Sequence, residues 1–297
     1  MADPYPIVAV NPEWIVNPED MGTKQKFWYR KPRNPAKWLF KYPRPNTGEH
    51  WAEKIAAGVA SAIGVRHAKV ELATFQGTRG SVTESFVGGN RTLWHGNQML
   101  EVAIAGYDPK RRSRQSRHTL ENIWKVVEKI FVDDPEGARK AKRTIAGYIV
   151  LDALIGNTDR HHENWGVLRQ REDNGRMVDM APSFDHASSL GRELMDCRRE
   201  RLMEENRVGD YAEKGHGAIY RTGNESRGPS PLELVRQATR GYPKFFRPMA
   251  TNLARMSEDA ARQIVHPIPS DWMSPSERRF VIALMRYNYG KLQEILQ

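Results

Sequence analysis

The feature that most constrains the fold lies near the middle of the chain, where a long apolar helical pattern gives way to a polar loop. The pattern of Ala138–Ile155 predicts a helix whose end is apolar enough to be buried. The segment GNTDRHHEN follows and leads into a strand-like run, Trp165–Leu168. A second polar segment, MAPSFDHASSLG, comes at Met180–Gly191. We expect both segments to be loops held in place by buried elements, which is a common setting for functional residues.

These two loops carry three oxygen-bearing side chains, Asp159, Asn164 and Asp185. Carboxylate and amide oxygens are ligands for a hard cation, and Mg²⁺ with phosphates is the usual case. Asp159 and Asn164 match the D-x-x-x-x-N spacing of a protein-kinase catalytic loop, in which Asp takes the proton of the attacking hydroxyl and Asn holds a magnesium. The pattern is weak by itself, because an Asp that caps a turn and an Asn in a tight bend also produce it.

The order of residues along the chain strengthens this interpretation. A kinase needs a strand Lys on the phosphates and a helix Glu that holds this Lys, both before the catalytic loop. The chain supplies Lys41 at a strand end and Glu53 on the following helix. At helical spacing Glu53 lies off the apolar stripe and beside Ala57, so it can face the strands. The alternative is that Lys41 and Glu53 form a solvated ion pair.

The pattern of elements predicts an α+β fold with two lobes of the protein-kinase type. A small β-rich N-lobe, residues 1–90, is expected to bind the nucleotide, and a larger helical C-lobe, residues 91–297, to carry the catalytic and metal-binding loops. The N-lobe strands are predicted at Lys26–Tyr29, Trp38–Lys41, Val70–Thr74 and Ser81–Val87, with a helix from Gly48 to about Ile63. The further helices are predicted at His118–Phe131, Ala138–Ile155, Leu232–Thr239, Ser257–Val265 and Ser274–Leu296.

Four motifs in order resemble the HipA-like serine/threonine kinases. GNTDRHHENWGVL is similar to the catalytic loop of that family, and MAPSFDHASS to its metal loop. WLFKYPR and GEHWAEKIAAGVASAIG are similar to the strand Lys and the regulatory helix. The resemblance runs from about Met21 to about Gly191 and implies a kinase-like fold, use of ATP and Mg²⁺, and transfer to a serine or threonine hydroxyl.

The resemblance also implies a role for individual residues. Asp159 would be the catalytic base, Asn164 and Asp185 the metal ligands, Lys41 the phosphate contact and Glu53 its ion-pair partner. His161 matches the histidine that supports the catalytic loop at the nucleotide site. The remaining nucleotide contacts would be Gly22, Thr23 and Lys24 in a phosphate-binding loop at Asp20–Lys26, and Glu84, Phe86 and Val87 at the hinge beside adenine.

Two departures from the family pattern bear on regulation and size. The phosphate-binding loop of the family often contains a serine whose phosphorylation disables the kinase, whereas this loop has Thr23 and no serine. HipA toxins also carry an additional N-terminal subdomain, and we expect this chain to resemble the compact members without it. The family further implies a translation factor or an aminoacyl-tRNA synthetase as protein substrate, and a DNA-binding antitoxin as partner.

The charge of the chain keeps two other functions open. The 297 residues carry a formal net charge of +10, which favours anionic partners. Basic runs at Met21–Gly48 and Lys110–Arg117 could bind lipid headgroups, as in a lipid or small-molecule phosphotransferase. They could also bind nucleic acid, as in a scaffold with a degenerate kinase fold.

Other features set the expected location and order of the chain. No stretch has the length and apolarity of a membrane helix, and Cys197 is the single cysteine, so we expect a cytoplasmic protein. The polar stretch Arg207–Pro231 is predicted to be disordered or a mobile loop.

Overall fold

The computed structural model describes residues 3–18, 25–172 and 175–297. Within these ranges the first part of the chain forms a six-stranded sheet that carries one helix. The strands are β1 (Ile7–Val10), β2 (Ile15–Pro18), β3 (Lys26–Arg30), β4 (Lys37–Lys41), β5 (Val70–Phe75) and β6 (Thr78–Glu84). They lie in the order β1-β5-β6-β4-β3-β2, and β1 pairs in parallel with β5 while the other neighbours are antiparallel. The helix, α1, spans Glu49–Ala62.

Side chains of β3 and β4 alternate between two environments, as the pleat of a strand requires. One set joins Phe75 and Val82 in an aromatic cluster: Phe27, Tyr29, Trp38 and Phe40. The other set lines a cavity on the opposite side: Lys26, Trp28, Leu39 and Lys41. The predicted hairpin of β3 and β4 is confirmed, and its register places Lys26 opposite Lys41.

Helix α1 packs its apolar stripe into the main core. Trp51, Ile55, Val59 and Ile63 are buried together with Leu72 of β5 and with side chains of the C-terminal helices. The helix ends before Gly64, whose φ of +66° is a backbone conformation that glycine adopts without strain. The predicted helix is therefore confirmed, and its packing ties the first sheet to the rest of the molecule.

The second part of the chain combines a small sheet with ten helices among the described residues. The antiparallel sheet has the order β7 (Arg91–His95), β8 (Gly166–Glu172), β9 (Gly175–Met180). The helices are α2 (Gly96–Ala103), α3 (Leu120–Ile130), α4 (Pro135–Ile155), α5 (Asp196–Glu204), α6 (Val208–Lys214), α7 (Pro231–Gly241), α8 (Pro243–Phe246), α9 (Met249–Leu253), α10 (Glu258–Val265) and α11 (Pro275–Leu296). The expected α+β fold with a β-rich N-terminal lobe and a larger helical lobe is confirmed.

Helix α4 is the centre of the helical lobe. Its C-terminal half is buried from Ile145 to Ile155, and it packs against α3, α7, α8 and α11. The backbone turns out of the helix at Gly156, with a φ of +65°, and continues as the polar loop. Asn288 of α11 donates from Nδ2 to the Leu154 carbonyl oxygen at 3.1 Å. The core therefore holds the start of this loop in place.

Two expectations from the sequence need correction. Residues 207–231 are ordered rather than disordered, since they include α6 and bond to other parts of the chain. Gly217 N donates to the Pro229 oxygen at 2.8 Å, and Tyr220 N to the His118 oxygen at 2.9 Å. The strand predicted to reach Val87 ends at Glu84, and one further backbone bond, from Ser85 N to the Lys37 oxygen of β4 at 2.8 Å, follows it.

A division of the chain near residue 90 remains a proposal. It is supported by the pairing of β7, which begins at Arg91, with β8 of the second sheet rather than with the first sheet.

Candidate active site

A cavity of about 410 Å³ brings together residues from both sheets and both polar loops. Eight of the residues singled out in the sequence contribute to its wall, and four of them are the candidate catalytic and metal-binding residues Lys41, Asp159, Asn164 and Asp185. The remaining lining residues are Lys26, Trp28, Leu39, Arg44, Thr83, Glu84, Ser85, Phe86, Val87, Leu93, His95, Arg112, His161, Glu163 and Phe184. The hinge residues Glu84, Phe86 and Val87 and the loop residue His161 therefore lie at the same cavity as the candidate catalytic side chains.

Lys41 is placed in the cavity by the alternation of β4 and is almost fully buried. Its Nζ lies 3.0 Å from Oδ1 of Asp185. Burial disfavours the ammonium charge, but the carboxylates of Asp185 and Glu53 outweigh it, so the pKa of Lys41 is raised. Lys41 is thus a fixed positive charge at neutral pH.

Glu53 lies on α1 and is buried behind the cavity wall. Its Oε1 accepts a hydrogen bond from the backbone N of His186 at 3.0 Å. Burial alone would raise the pKa of Glu53, but Lys41 and the side chain of His186, whose Nδ1 lies 3.6 Å from Oε1 of Glu53, lower it. The resemblance implied that Glu53 is the ion-pair partner of Lys41. Among the residues that the structure describes, the carboxylate within 4 Å of the Lys41 ammonium is that of Asp185, and Glu53 acts on Lys41 from farther away.

The loop after α4 is fixed by a set of short polar contacts. Asp159 N donates to Oδ1 of Asn157 at 3.1 Å, and Nδ2 of Asn164 donates to the Asp159 carbonyl oxygen at 2.7 Å. Arg160 makes two hydrogen bonds to the buried carboxylate of Asp152, each 2.7 Å long. The bond between Asn164 and Asp159 closes the D-x-x-x-x-N segment on itself, so both side chains are held at one cavity.

Asp159 contacts the second polar loop through its side chain. Its Oδ2 accepts a hydrogen bond from Oγ of Ser188 at 3.2 Å. Arg192 in turn donates from Nη2 to Oγ of Ser188 at 3.3 Å and from Nη1 to Oε1 of Glu49 at 2.7 Å. The carboxylate of Asp159 is therefore oriented by a chain of contacts that reaches the first turn of α1.

The metal-loop residue Asp185 adopts a left-handed backbone conformation with a φ of +60°. A non-glycine residue in this region of φ is uncommon and often marks a functional position. The preceding Phe184 packs on Phe86, with ring centroids 5.4 Å apart, and on His95 at 6.2 Å. These contacts join the metal loop to the hinge segment.

The structure adds cavity residues that the sequence reasoning did not single out. His95 bonds through Nδ1 to the Glu163 carbonyl oxygen at 2.9 Å, and Arg112 pairs with Oε2 of Glu163 at 2.6 Å. Arg112 lies in the basic run Lys110–Arg117, which identified it as basic but not as a cavity residue. The sequence could have predicted Lys26 and Leu39 as cavity residues, because strand alternation and the hairpin register place them on the same face of the sheet as Lys41.

Gly22, Thr23 and Lys24 lie outside the described residues, so their assignment to a phosphate-binding loop stays a prediction. Along the described stretches of the chain, no helix combines the length and apolarity that crossing a bilayer requires.

The fold and the grouping of these side chains define a two-lobed, kinase-like protein. The profile of the HipA-like C-terminal domain matches residues 19–265, and the chain belongs to this family. No curated protein sequence matches the chain significantly.

Two solved structures show the same fold at low sequence identity. The Helicobacter pylori proinflammatory kinase CtkA is 16% identical with a TM-score of 0.76, and the match covers 98% of this chain and 97% of CtkA. HipA of Shewanella oneidensis MR-1, solved with HipB and operator DNA of its toxin–antitoxin system, is 13% identical with a TM-score of 0.61. That match covers 97% of this chain and 66% of HipA. The family expected from the sequence motifs is thereby confirmed.

Proposed function

We propose that the protein is an ATP- and Mg²⁺-dependent serine/threonine protein kinase of the HipA type. The observation that carries the proposal is the presence of Lys41, Asp159, Asn164 and Asp185 at one cavity, next to the hinge segment. A phosphoryl-transfer site needs a phosphate-binding cation, a base and metal-binding oxygens in mutual reach, and these four side chains supply them.

The lining of the cavity suits a nucleotide. Apolar side chains can enclose a planar base, and the chain provides Leu39, Phe86, Val87, Leu93 and Phe184. Basic side chains can bind phosphates, and the chain provides Lys26, Lys41, Arg44 and Arg112. A cavity with both kinds of lining fits ATP better than it fits an apolar ligand or an inorganic anion.

The donor set also fits a magnesium ion. The amide nitrogen of Asn164 is committed to the Asp159 carbonyl, which leaves Oδ1 of Asn164 as the atom for a cation. The Asp185 carboxylate is the second oxygen ligand. Mg²⁺ bound there would neutralise charge that develops on the transferred phosphoryl group.

The side chains of the protein then have distinct tasks in the transfer. Lys41 holds the phosphates of ATP with a permanent positive charge. Asp159 accepts the proton of the serine or threonine hydroxyl as the new oxygen–phosphorus bond forms and the bond between the γ-phosphorus and the ADP oxygen breaks. Ser188 and Asn164 keep Asp159 in position through the contacts described above. Catalysis would rest on positioning and on charge neutralisation.

The proposal is tested by transfer of label from γ-labelled ATP with Mg²⁺ to the protein itself and to a cell lysate. Asp159→Ala is expected to reduce transfer about 1000-fold or more, because the base is lost. Asp259→Ala, at an exposed position of α10, is the matched control and should transfer like the unaltered protein. Equal transfer by Asp159→Ala and Asp259→Ala would contradict the proposal.

The cellular role is proposed by analogy with the family. We infer a toxin kinase that modifies a translation component in the cytoplasm, either a translation factor or an aminoacyl-tRNA synthetase, and that is held by an antitoxin. Support for the antitoxin comes from the Shewanella HipA structure, which contains HipB and operator DNA. The labelled lysate band identifies the substrate, and a substrate outside translation would contradict this role.

A further inference from the structure

A second cavity, of about 330 Å³, borders the catalytic loop. It is separate from the cavity described above and shares none of its lining residues. Its wall includes Thr158, the neighbour of Asp159 in the chain, and Ser188, whose Oγ bonds to the Asp159 carboxylate. Asp159 itself lines the first cavity. The two cavities therefore lie on either side of the contact between Asp159 and Ser188.

The second cavity is lined by four cationic and two anionic side chains besides His216. Of the anions, Asp210 is paired with a cation, since its Oδ2 accepts from Nε of Arg207 at 2.9 Å. Glu193 accepts the neutral Tyr211 hydroxyl on Oε1 at 2.8 Å and keeps its negative charge. Arg192 pairs with Glu49. Within the parts of the chain that the structure describes, Arg198 and Lys214 make no ion pair at 4 Å or less.

With Arg192 paired to Glu49 and Arg207 to Asp210, the two cations Arg198 and Lys214 face the single carboxylate of Glu193, so the lining keeps a surplus of positive charge. Arg198 comes from α5 and is half-buried, and Lys214 is the last residue of α6 and is exposed. Leu202 and Ala212 add buried apolar surface between them. A cavity of this size accepts one or two side chains of an extended segment rather than a folded domain. Because cations outnumber carboxylates in the lining, the cavity favours an anionic segment.

We propose that the second cavity binds the acceptor segment of the protein substrate, and that it selects a serine or threonine flanked by acidic residues. Arg198 and Lys214 contact the flanking carboxylates, while the acceptor hydroxyl reaches Asp159 past Thr158 and Ser188. The inference rests on the proposed kinase function and adds the class of substrate. It assigns Arg198 and Lys214 to specificity and not to the transfer step.

The first experiment measures KM and kcat for three synthetic peptides, with Mg²⁺ and γ-labelled ATP. Each peptide has a central serine, flanked on both sides by glutamate, by glutamine or by lysine. The expected KM is lowest for the glutamate peptide, about tenfold lower than for the glutamine peptide, and highest for the lysine peptide. Raising the salt concentration should weaken the preference, because exposed charges are screened. Equal KM values for the three peptides would overturn the proposal.

The second experiment reverses the charge of the cavity. The double variant Arg198→Glu with Lys214→Glu should invert the order, so that the lysine peptide gains the lowest KM. The matched control is Arg240→Glu with Arg247→Glu, two exposed cations that line neither cavity, and it should keep the original order. An unchanged order in the first double variant would overturn the proposal. If that variant does not fold, the order of the three KM values measured with the unaltered protein still tests the proposed specificity.

Failure of the inference is distinguishable from failure of the kinase assignment. Phosphoryl transfer that depends on Asp159 but not on the charge of the flanking residues would overturn only the proposal of an acidic acceptor segment. If no transfer is detected and calorimetry shows no binding of Mg²⁺-ATP, both the kinase assignment and the acidic acceptor segment would be overturned. Binding of a single-stranded oligonucleotide that is lost in the charge-reversed variant, without a charge preference among the peptides, would assign the second cavity to nucleic acid and overturn the proposal.

Discussion

Arg160 and Asp152 form a buried two-point ion pair beneath the catalytic loop. Nε and Nη2 of Arg160 each lie 2.7 Å from an oxygen of Asp152, and both side chains are about 5% exposed. Burial opposes the charge of Arg160, but Asp152 outweighs it and raises the pKa of the guanidinium. Nη1 of Arg160 also donates to the Asn164 carbonyl oxygen at 2.9 Å. The pair thus joins the end of α4 to the far end of the D-x-x-x-x-N segment.

The first prediction concerns this pair. Asp152→Ala should lower the free energy of unfolding by about 3–5 kcal/mol, because it leaves a buried guanidinium without its counter-charge. Denaturant unfolding at pH 7 measures the change. Glu121→Ala, which breaks the exposed pair of Glu121 with Lys125 on α3, is the control and should cost about 0.5 kcal/mol or less. Similar losses in the two variants would show that the buried pair is not a main support of the loop.

The second prediction concerns Lys41. Lys41→Met removes the ammonium that lies 3.0 Å from Asp185 and that lowers the pKa of Glu53. We expect transfer to fall about 100-fold or more and the Kd for Mg²⁺-ATP to rise, because the phosphates lose a fixed positive charge. Radiolabel transfer and calorimetry measure the two effects. Lys125→Met, at an exposed site on α3, should change neither quantity, and wild-type values for Lys41→Met would rule out its role at the phosphates.

Much of the candidate site could be predicted because it depends on local rules. Strand alternation and the hairpin register fix the direction of Lys41. The spacing of Asp159 and Asn164 allows a loop that closes on itself, as the bond between Asn164 and the Asp159 carbonyl shows. The order of elements was enough for the α+β fold, since strands come first and helices follow.

The parts that could not be predicted depend on contacts between distant segments. The ion pair of Lys41 with Asp185 joins residues far apart in the chain, so local patterns could not select Asp185 over Glu53 as the partner of Lys41. The order of residues 207–231 is also set from outside, because His118 accepts the bond from Tyr220 N and the side chains of Ile219 and Tyr220 are buried. A polar composition predicts few apolar contacts, but it cannot show that a hydrogen bond to a distant carbonyl helps to order the segment.

The third prediction concerns the pH dependence of stability. Burial lowers the pKa of His118 to about 3 and that of His162 to about 4, whereas both have the ordinary value of about 6.5 in the unfolded chain. The unfolded chain therefore binds more protons below pH 6.5, and the free energy of unfolding falls as the pH drops toward 4. Between pH 7 and pH 5 we expect a loss of about 2 kcal/mol for each of these histidines.

Variants separate this effect from the titration of carboxylates. His162 is hydrogen-bonded through Nδ1 to the Tyr107 hydroxyl at 2.7 Å, and His162→Asn keeps a polar group there while removing the titration. Denaturant unfolding at pH 7 and pH 5 should show a smaller loss in His162→Asn than in the unaltered protein. His266→Asn, at an exposed position, is the control. A loss in His162→Asn as large as in the unaltered protein would contradict the neutral, buried state of His162.

The fourth prediction concerns the contact of α2 with the catalytic loop. Gly96 N donates to the Trp165 carbonyl oxygen at 2.9 Å, and a Cβ on Gly96 would lie 2.3 Å from the Trp165 ring and 2.6 Å from the His162 carbonyl oxygen. Because the second of these atoms is backbone, Gly96→Ala must displace the loop that carries Asp159. We expect a loss of about 1–3 kcal/mol in the free energy of unfolding and a lower kcat.

A second glycine makes this prediction specific to the contact. A Cβ on Gly290 of α11 would meet nothing within 4 Å, so Gly290→Ala relieves the entropy cost of a helical glycine and should raise the free energy of unfolding by up to about 1 kcal/mol. Denaturant unfolding and label transfer on both variants provide the comparison. A stabilised, fully active Gly96→Ala would show that α2 and the catalytic loop can move apart without consequence, and the close approach at Gly96 would then have no part in holding Asp159.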